Sequence, residues 1–318
     1  MRRYARSATL AATVIVALAA GGCAPTDTPA PPPPAASSPT PETSAPQGAQ
    51  TSGGQAVVVD DDLSSLEAAY DARVGVYALD TGSGDRVAYR ADERFAYASS
   101  IKAVLAAAIL QEVDDLDRVV SYGADALVAN SPETEANLAT GMSIRDLAEA
   151  AVRVSDNAAT NLLLAELGGP AAFGELLASL GDTTTEPART EPALNEATPG
   201  DTRDTSTPRA LVETLRAYAL GDALPDDRRA LLIDWMTGNA TGDTLIRAGA
   251  PADAVVADKS GAGGYGTRTD IAVVWPAEGD PIVIAVLSSR AEAGAERDDQ
   301  LVADAAAVAL DALEGARQ

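Results

Sequence analysis

The chain has 318 residues, of which 46% are hydrophobic and 4% aromatic, and a formal net charge of −24. This length fits one sizeable globular unit of one or two lobes, and the acidic balance argues against a nucleic-acid partner. There is no histidine and a single cysteine, Cys23, which excludes a Ser-His-Asp triad, an internal disulfide and a zinc site with nitrogen and sulfur ligands. We therefore expect neither a metal nor another cofactor.

Residues 1–22 have the pattern of an export signal. A basic start precedes the apolar run 8–20, which is too short for a membrane-spanning helix. The run ends in small residues before Cys23, a pattern that resembles a bacterial lipoprotein signal whose cysteine is lipidated. We expect export and anchoring on the outer face of the cytoplasmic membrane through a lipid on Cys23, with cleavage and secretion as the alternative.

The next segment, 23–56, begins with this cysteine and is rich in proline. Nine of the nineteen prolines lie between residues 24 and 56. Such a composition cannot bury a core, so it predicts an extended tether. The folded domain is predicted to span residues 57–318.

Within the domain, strands are predicted at both ends and helices between them. A helix at 63–73 precedes strands at 73–79 and 86–90. Helices are predicted at 101–113, 144–154, 157–167, 171–180, 208–219 and 228–239, strands at 254–259, 269–275 and 282–288, and a final helix at 300–313. This order predicts an α/β lobe (57–93 and 238–318) with an inserted all-α lobe (94–237), and a cleft at their junction.

Ser99 and Lys102 begin the first helix of the inserted lobe. Ser99 falls at the helix N-terminus, and Lys102, one of only two lysines in the chain, lies one turn further on the same face. A neutral serine needs a base to act as a nucleophile. Because the chain has no histidine, a lysine or a glutamate must take that part, and we identify Ser99 as a candidate nucleophile.

Three further short motifs follow in order: Ser155-Asp156-Asn157, Glu191-Pro192-Ala193-Leu194-Asn195 and Lys259-Ser260-Gly261. With Ser99-x-x-Lys102, they make the chain from about residue 63 onward resemble the class A (serine) β-lactamases. The resemblance implies their two-lobed fold, an antiparallel sheet flanked by helices with an inserted all-α lobe. It also implies antibiotic resistance through hydrolysis of the β-lactam amide of penicillins, with some cephalosporins as further candidates.

The resemblance assigns Ser99 the attack on the β-lactam carbonyl. The backbone N–H groups of Ser99 and Ala262 form the implied oxyanion hole. Ser155 passes a proton to the leaving nitrogen, and Asn157 binds the side-chain amide of the substrate.

The same resemblance places the substrate carboxylate on Lys259 and Ser260, assisted by Arg268 from the next strand. Gly261 is expected to keep this strand bare so that a ligand can approach. These local cations explain how an acidic protein could hold an anion.

Glu191 and Asn195 are four residues apart, which places both on one side of a helical turn, where they could hold one water for deacylation. The resemblance implies a cis peptide before Pro192 and a salt bridge between Arg189 and Asp204 that closes this loop. The base for acylation, Lys102 or Glu191, stays open.

Two other functions share part of this pattern, namely a penicillin-binding DD-peptidase and a non-hydrolytic β-lactam sensor. The Glu191–Asn195 pair argues against both, since penicillin-binding transpeptidases lack it and a sensor has no use for a deacylating water. One departure concerns substrate range: Asn130 stands where the family has a tyrosine or tryptophan wall, so we predict weak substrate binding there. We expect a monomer with β-lactams as its small-molecule partners.

Overall fold

A computed structural model of the protein describes residues 54–317. The predicted signal peptide, Cys23 and the predicted tether up to residue 53 lie outside the described residues. Among the described residues, the helices are α1 Asp60–Tyr70, α2 Ile101–Glu112, α3 Pro132–Ala136, α4 Ile144–Arg153, α5 Asn157–Glu166, α6 Pro170–Leu180, α7 Pro208–Ala219, α8 Asp226–Thr237, α9 Ile246–Gly249 and α10 Asp299–Ala316. The strands are β1 Ala56–Val57, β2 Arg73–Asp80, β3 Arg86–Tyr89, β4 Phe95–Ala96, β5 Val119–Val120, β6 Met142–Ser143, β7 Thr205–Ser206, β8 Val255–Ala262, β9 Arg268–Trp275 and β10 Ile282–Ser289.

The central sheet has the strand order β1-β3-β2-β10-β9-β8, antiparallel except for the parallel pair β1 and β3. Its central strand β10 is apolar from Ile282 to Leu287 because helices cover both faces. In β10, Ile284 and Val286 pack with α1 and α10, whereas Ala285 and Leu287 pack with the helices between β3 and β8. Side chains alternate between the two faces along a strand, so a continuous apolar run contributes to the hydrophobic core on each face of the sheet.

The first strand begins before the predicted domain start. The Gln55 N–H donates to Asp85 Oδ1 at 2.6 Å, and Arg86 Nη1 donates to the Gly54 carbonyl at 2.8 Å. Residues 54–56, which the composition places in the tether, are therefore hydrogen-bonded to the sheet.

Helix α2 occupies the centre of the helical part of the chain. Its residues from Ile101 to Leu110 are all buried, and it contacts α4, α5, α7 and α8. Small alanine side chains let these neighbours approach closely on every side. A sheet built from both chain ends with helices between them confirms the predicted α/β fold, while the lobe boundaries near residues 94 and 237 stay predictions.

Within residues 54–317, no single helix is both long and apolar enough to cross a membrane; α5 and α6 meet that test only as a pair, bent by 71°.

Candidate active site

Ser99 lies in a 3₁₀ turn, Ala98–Ser100, that leads directly into α2. Ala98 has a φ of 45°, in the left-handed region that residues other than glycine seldom adopt. The turn buries Ser100, whose hydroxyl donates to the Tyr97 carbonyl at 2.6 Å, and leaves Ser99 9% exposed. The hydroxyl that a substrate can reach is therefore that of Ser99, the predicted nucleophile.

Lys102 is fully buried one turn later. Its Nζ lies 2.9 Å from Glu191 Oε1 and donates to the Ser155 carbonyl at 2.9 Å and to Asn157 Oδ1 at 2.6 Å. Burial lowers the pKa of Lys102, and the nearby charge of Glu191 opposes this shift. With Ser155 Oγ at 3.3 Å, four oxygens surround the three N–H donors of the ammonium group.

The hydrogen bond of the Ser99 hydroxyl goes to Glu191 Oε1, at 3.4 Å. The spacing of Ser99 and Lys102 predicts a direct exchange of protons between them. The structure instead connects them through Glu191, because Lys102 Nζ is turned toward Ser155 and Asn157.

The Ser-Asp-Asn motif lies where α5 begins. Asp156 is fully buried and is the N-cap of α5, accepting from Ala159 N–H at 2.9 Å. Ser155 has a φ of 57°, and Asn157 Nδ2 donates to the Ala129 carbonyl at 2.8 Å. Asp156 thus fixes the backbone, which leaves Ser155 and Asn157 beside Lys102.

Glu191 is held at both its backbone and its side chain. Asn195 Nδ2 donates to Glu191 Oε2 at 2.5 Å, as their spacing predicts, and the peptide before Pro192 is cis. The side-chain amide of Asn161 grips the backbone, accepting from Glu191 N–H at 2.8 Å and donating to its carbonyl at 2.9 Å. Asn161 was not predicted as a site residue; in the sequence it is one polar residue within the apolar helix α5.

The loop that carries Glu191, residues 187–204, is closed at its base by Asp204. Arg189 Nε donates to Asp204 Oδ2 at 2.5 Å, which is the predicted pair. Asp204 Oδ1 also accepts from the N–H groups of Ala188 and Arg189 and from the Tyr97 hydroxyl, each at 3.0 Å. One buried carboxylate therefore ties this loop to the turn that carries Ser99.

Strand β8 brings Lys259 and Ser260 to the other side of Ser99. Lys259 is fully buried and donates to the Ser260 carbonyl at 2.8 Å. Burial lowers the pKa of Lys259 to about 7, and Lys102 acts in the same direction. Ser260 Oγ lies 2.7 Å from Thr241 Oγ1.

Gly261 lies against the turn that carries Ser99. A Cβ at this position would lie 2.8 Å from the backbone nitrogens of both Ser99 and Ser100 and 2.5 Å from Thr269 Oγ1. The glycine is needed because the Ser99 turn packs directly on β8. The same contact brings the Ser99 N–H close to Ala262, the next residue of the strand.

Arg268 lies opposite Ala262 on β9. Its Nη1 donates to the Gly261 carbonyl at 3.3 Å, and its Nε donates to Asp299 Oδ1 at 2.7 Å. Asp299 and Thr241, which contact Arg268 and Ser260, were not predicted as site residues because neither lies in a motif.

The predicted residues form two adjoining groups. Ser99, Lys102, Ser155, Asn157, Glu191 and Asn195 are joined by hydrogen bonds or an ion pair. Lys259 to Ala262 and Arg268 lie on two paired strands that contact the Ser99 turn. Such a site offers a serine, an internal acid–base pair and cations for an anionic substrate.

A cavity of about 1160 Å³ lies apart from these residues. Several arginines line it, but Arg73, Arg90 and Arg203 are each paired with a carboxylate. None of the predicted site residues lines this cavity.

Comparison with known proteins agrees with this geometry. The profile of the Beta-lactamase enzyme family matches residues 59–313. A Beta-lactamase of Amycolatopsis lactamdurans is 56% identical over 257 residues, covering 80% of this chain and 85% of the relative. For a Beta-lactamase of Bacillus licheniformis the identity is 51% over 273 residues, covering 85% and 88%.

Solved structures give the same result. The crystal structure of a class A beta-lactamase from Clostridium kluyveri DSM 555 superposes with a TM-score of 0.79 at 47% identity, covering 80% of this chain and 98% of that one. The beta-lactamase from Streptomyces albus G matches with a TM-score of 0.77 at 46% identity, covering 79% and 98%. With these similarities along nearly the whole described region, the chain belongs to the class A β-lactamase family.

Proposed function

We propose that this β-lactamase hydrolyses penicillins through an acyl-enzyme on Ser99. In acylation, Ser99 Oγ gives its proton to Glu191 and attacks the β-lactam carbonyl, and the carbon–nitrogen bond breaks. Ser155 gives its own proton to the departing nitrogen and is reprotonated through Lys102 Nζ, which contacts both Glu191 and Ser155 Oγ. In deacylation, a water gives up a proton to Glu191 and attacks the resulting ester, the bond between the acyl carbon and Ser99 Oγ breaks, and the proton passes from Glu191 to Ser99 Oγ. The observation that carries this proposal is that Glu191 Oε1 contacts both Ser99 Oγ and Lys102 Nζ.

Glu191 is also our proposed base for acylation. Lys102 Nζ faces four oxygen acceptors and, as an ammonium group, has no lone pair with which to take a proton. Lys102 then supplies the positive charge that holds Glu191 toward Ser99. For deacylation, the buried Asn195 Oδ1, which has no hydrogen-bond partner within residues 54–317, offers an acceptor for a water beside Glu191.

Two more sets of groups complete the proposed mechanism. The N–H groups of Ser99 and Ala262 stabilise the developing oxyanion. Lys259, Ser260 and Arg268 bind the substrate carboxylate, and Asn157 binds its side-chain amide.

The test follows benzylpenicillin and the protein mass together. The unmutated protein should turn over many equivalents, whereas Glu191→Ala should keep one acyl group on Ser99. A single stoichiometric acylation of the unmutated protein would instead indicate a DD-peptidase or a sensor. Ser99→Ala, which should neither turn over nor gain mass, is the control for acylation at another residue.

We further propose that the protein is an exported monomer anchored to the outer face of the cytoplasmic membrane by a lipid on Cys23. The small residues before Cys23 and the proline-rich segment after it support this proposal. Fatty-acid labelling of cells should mark the protein and not its Cys23→Ala variant. Light scattering on the protein without its lipid should give the monomer mass.

A further inference from the structure

The segment between α8 and β8 contacts Ser260 directly and Arg268 through its counter-ion Asp299, two of the side chains proposed to bind the carboxylate. We call residues 239–246 the anchor loop. Its Thr241 contacts Ser260, and its Thr244 contacts Asp299, the counter-ion of Arg268.

The Thr241 contact has a defined direction. Arg247 pairs with Asp258 Oδ1, and Asp258 Oδ2 accepts from Asn239 Nδ2 at 2.5 Å. The amide oxygen of Asn239 therefore faces Thr241 and accepts its hydroxyl proton at 2.8 Å. With that proton committed, Thr241 Oγ1 accepts from Ser260, so a buried ion pair determines where the Ser260 hydroxyl points.

The Thr244 contact acts on Arg268, through Asp299. The Thr244 hydroxyl donates to Asp299 Oδ2 at 2.6 Å, and Arg268 donates to the same carboxylate at 2.7 and 3.3 Å. Partial burial opposes ionisation, but the hydrogen bonds from Arg268 and Thr244 hold the pKa of Asp299 below its usual value. The resulting Asp299–Arg268 pair keeps the guanidinium at the edge of β8, where Nη1 reaches the Gly261 carbonyl.

We propose that Thr241 and Thr244 are positioning residues for the substrate carboxylate, Thr241 through the Ser260 hydroxyl and Thr244 through the Asp299–Arg268 pair. This inference rests on the proposed anchoring role of Ser260 and Arg268. On binding, the Ser260 proton turns from Thr241 to the carboxylate, and Arg268 meets the same group already oriented. The anchor loop therefore matters for a substrate that carries a free carboxylate and not for one that lacks it.

The experiment compares benzylpenicillin with its neutral methyl ester on Thr241→Val and Thr244→Val. Each variant should lower kcat/KM for the acid by about three- to tenfold, the range of one hydrogen bond, and change it for the ester by less than about twofold. Thr241→Ser and Thr244→Ser, which keep the hydroxyl, should have a kcat/KM for the acid close to that of the unmutated protein. Thr237→Val is the matched control, since that exposed hydroxyl bonds only within its own helix, to the Ile233 carbonyl.

An equal loss on acid and ester would overturn the inference, because it would mean that the threonines only stabilise the fold. Arg268→Ala and Ser260→Ala test the proposed carboxylate-binding residues themselves, separately from the threonines that position them. If both of these discriminate acid from ester and the threonine variants do not, the inference alone is wrong. If neither discriminates, the anchoring assignment fails, and the inference fails with it.

Discussion

Ser99 and Glu191 are 92 residues apart in the chain, yet the serine hydroxyl lies 3.4 Å from the glutamate carboxylate. Ser99 lies in a three-residue turn and Glu191 in a loop, so contacts with other parts of the chain must set this distance. Asn161 holds the loop at Glu191 itself, and Asp204 closes the base of the loop; neither is a reacting group. Several outcomes depend on those contacts.

Replacing Asn161 should impair deacylation. Asn161→Ala removes both hydrogen bonds to the Glu191 backbone, so the carboxylate loses its alignment, and we expect deacylation to slow by about 100-fold. Stopped-flow mass analysis separates this step from acylation. The control is Asn137→Ala, whose exposed amide donates only to the Glu133 carbonyl. An unchanged deacylation rate in Asn161→Ala would contradict the positioning role.

The Asp204 carboxylate should matter more for stability than its ion-pair partner. Asp204→Ala leaves two backbone N–H groups and the Tyr97 hydroxyl without their acceptor, and should cost about 3 kcal/mol of unfolding free energy. Arg189→Ala should cost less, since Asp204 keeps those three donors. Urea unfolding measures both. Arg203→Ala, which breaks an exposed pair with Asp201 in the same loop, should cause no measurable change; a loss as large as that of Asp204→Ala would count against this ranking.

A methyl group at position 261 should slow acylation. In Gly261→Ala the new Cβ would meet the backbone nitrogens of Ser99 and Ser100, so the serine turn must move away from β8. We expect a drop in the acylation rate of about 100-fold, because a displacement of this size misaligns attacking groups. Gly315→Ala, where a Cβ meets nothing nearby, is the control. Acylation at the wild-type rate would show that the turn and strand can separate at no cost.

The affinity for substrate should fall as the pH rises through about 7. Burial lowers the pKa of Lys259 to about 7, with Lys102 acting in the same direction and Asp258 opposing it. Above that pH the lysine loses its charge, so kcat/KM for benzylpenicillin should fall by up to about tenfold per pH unit, while the methyl ester should be unaffected. In Lys259→Arg, where the charge persists, the profile should be flat. Parallel profiles for acid and ester would refute the assignment.

The same ionisation affects stability with the opposite sign. An unfolded lysine keeps its proton up to about 10.5, so the folded state bears the cost of a buried charge below pH 7. That cost disappears between pH 7 and 10.5, which makes this contribution to stability rise with pH.

Asn130 should limit substrate affinity. Its φ is 63°, and its side chain donates to the Ser155 carbonyl at 3.0 Å instead of forming an aromatic wall. Asn130→Tyr should lower KM by about threefold for penicillins with an aryl side chain, through ring contacts. Asn130→Leu has neither the amide donor nor an aromatic ring. It therefore shows the effect of losing the Ser155 contact without adding ring contacts to the substrate. An unchanged KM for every β-lactam tried with Asn130→Tyr would show the explanation to be wrong.

The sequence predicted long elements and local spacings well, because both have a repeating physical signal. The helix that begins after Ser99 follows from its periodicity, and the contact of Glu191 with Asn195 follows from their four-residue spacing within a motif that resembles the family's. The two-residue strands Phe95–Ala96 and Thr205–Ser206 were not predicted, since so short a segment has no measurable period.

Contacts made by tertiary packing were equally hidden. Ala98 and Ser155 adopt positive φ values without a glycine to mark the position. Asn161, Thr241 and Asp299 act through partners that lie 19 to 31 residues away in the sequence. Only the folded chain shows which of its many polar side chains have such partners.

The pairing of β2 with β10 determines when this protein can finish folding. Residues 73–80 bond along their length to residues 282–289, the last strand of the sheet in sequence order. Every proposed catalytic side chain has therefore been synthesised before the strand that joins β2 to β9 exists. Contacts this distant in sequence slow folding, and the central sheet cannot close until residues 282–289 have been synthesised and are free to pair with β2.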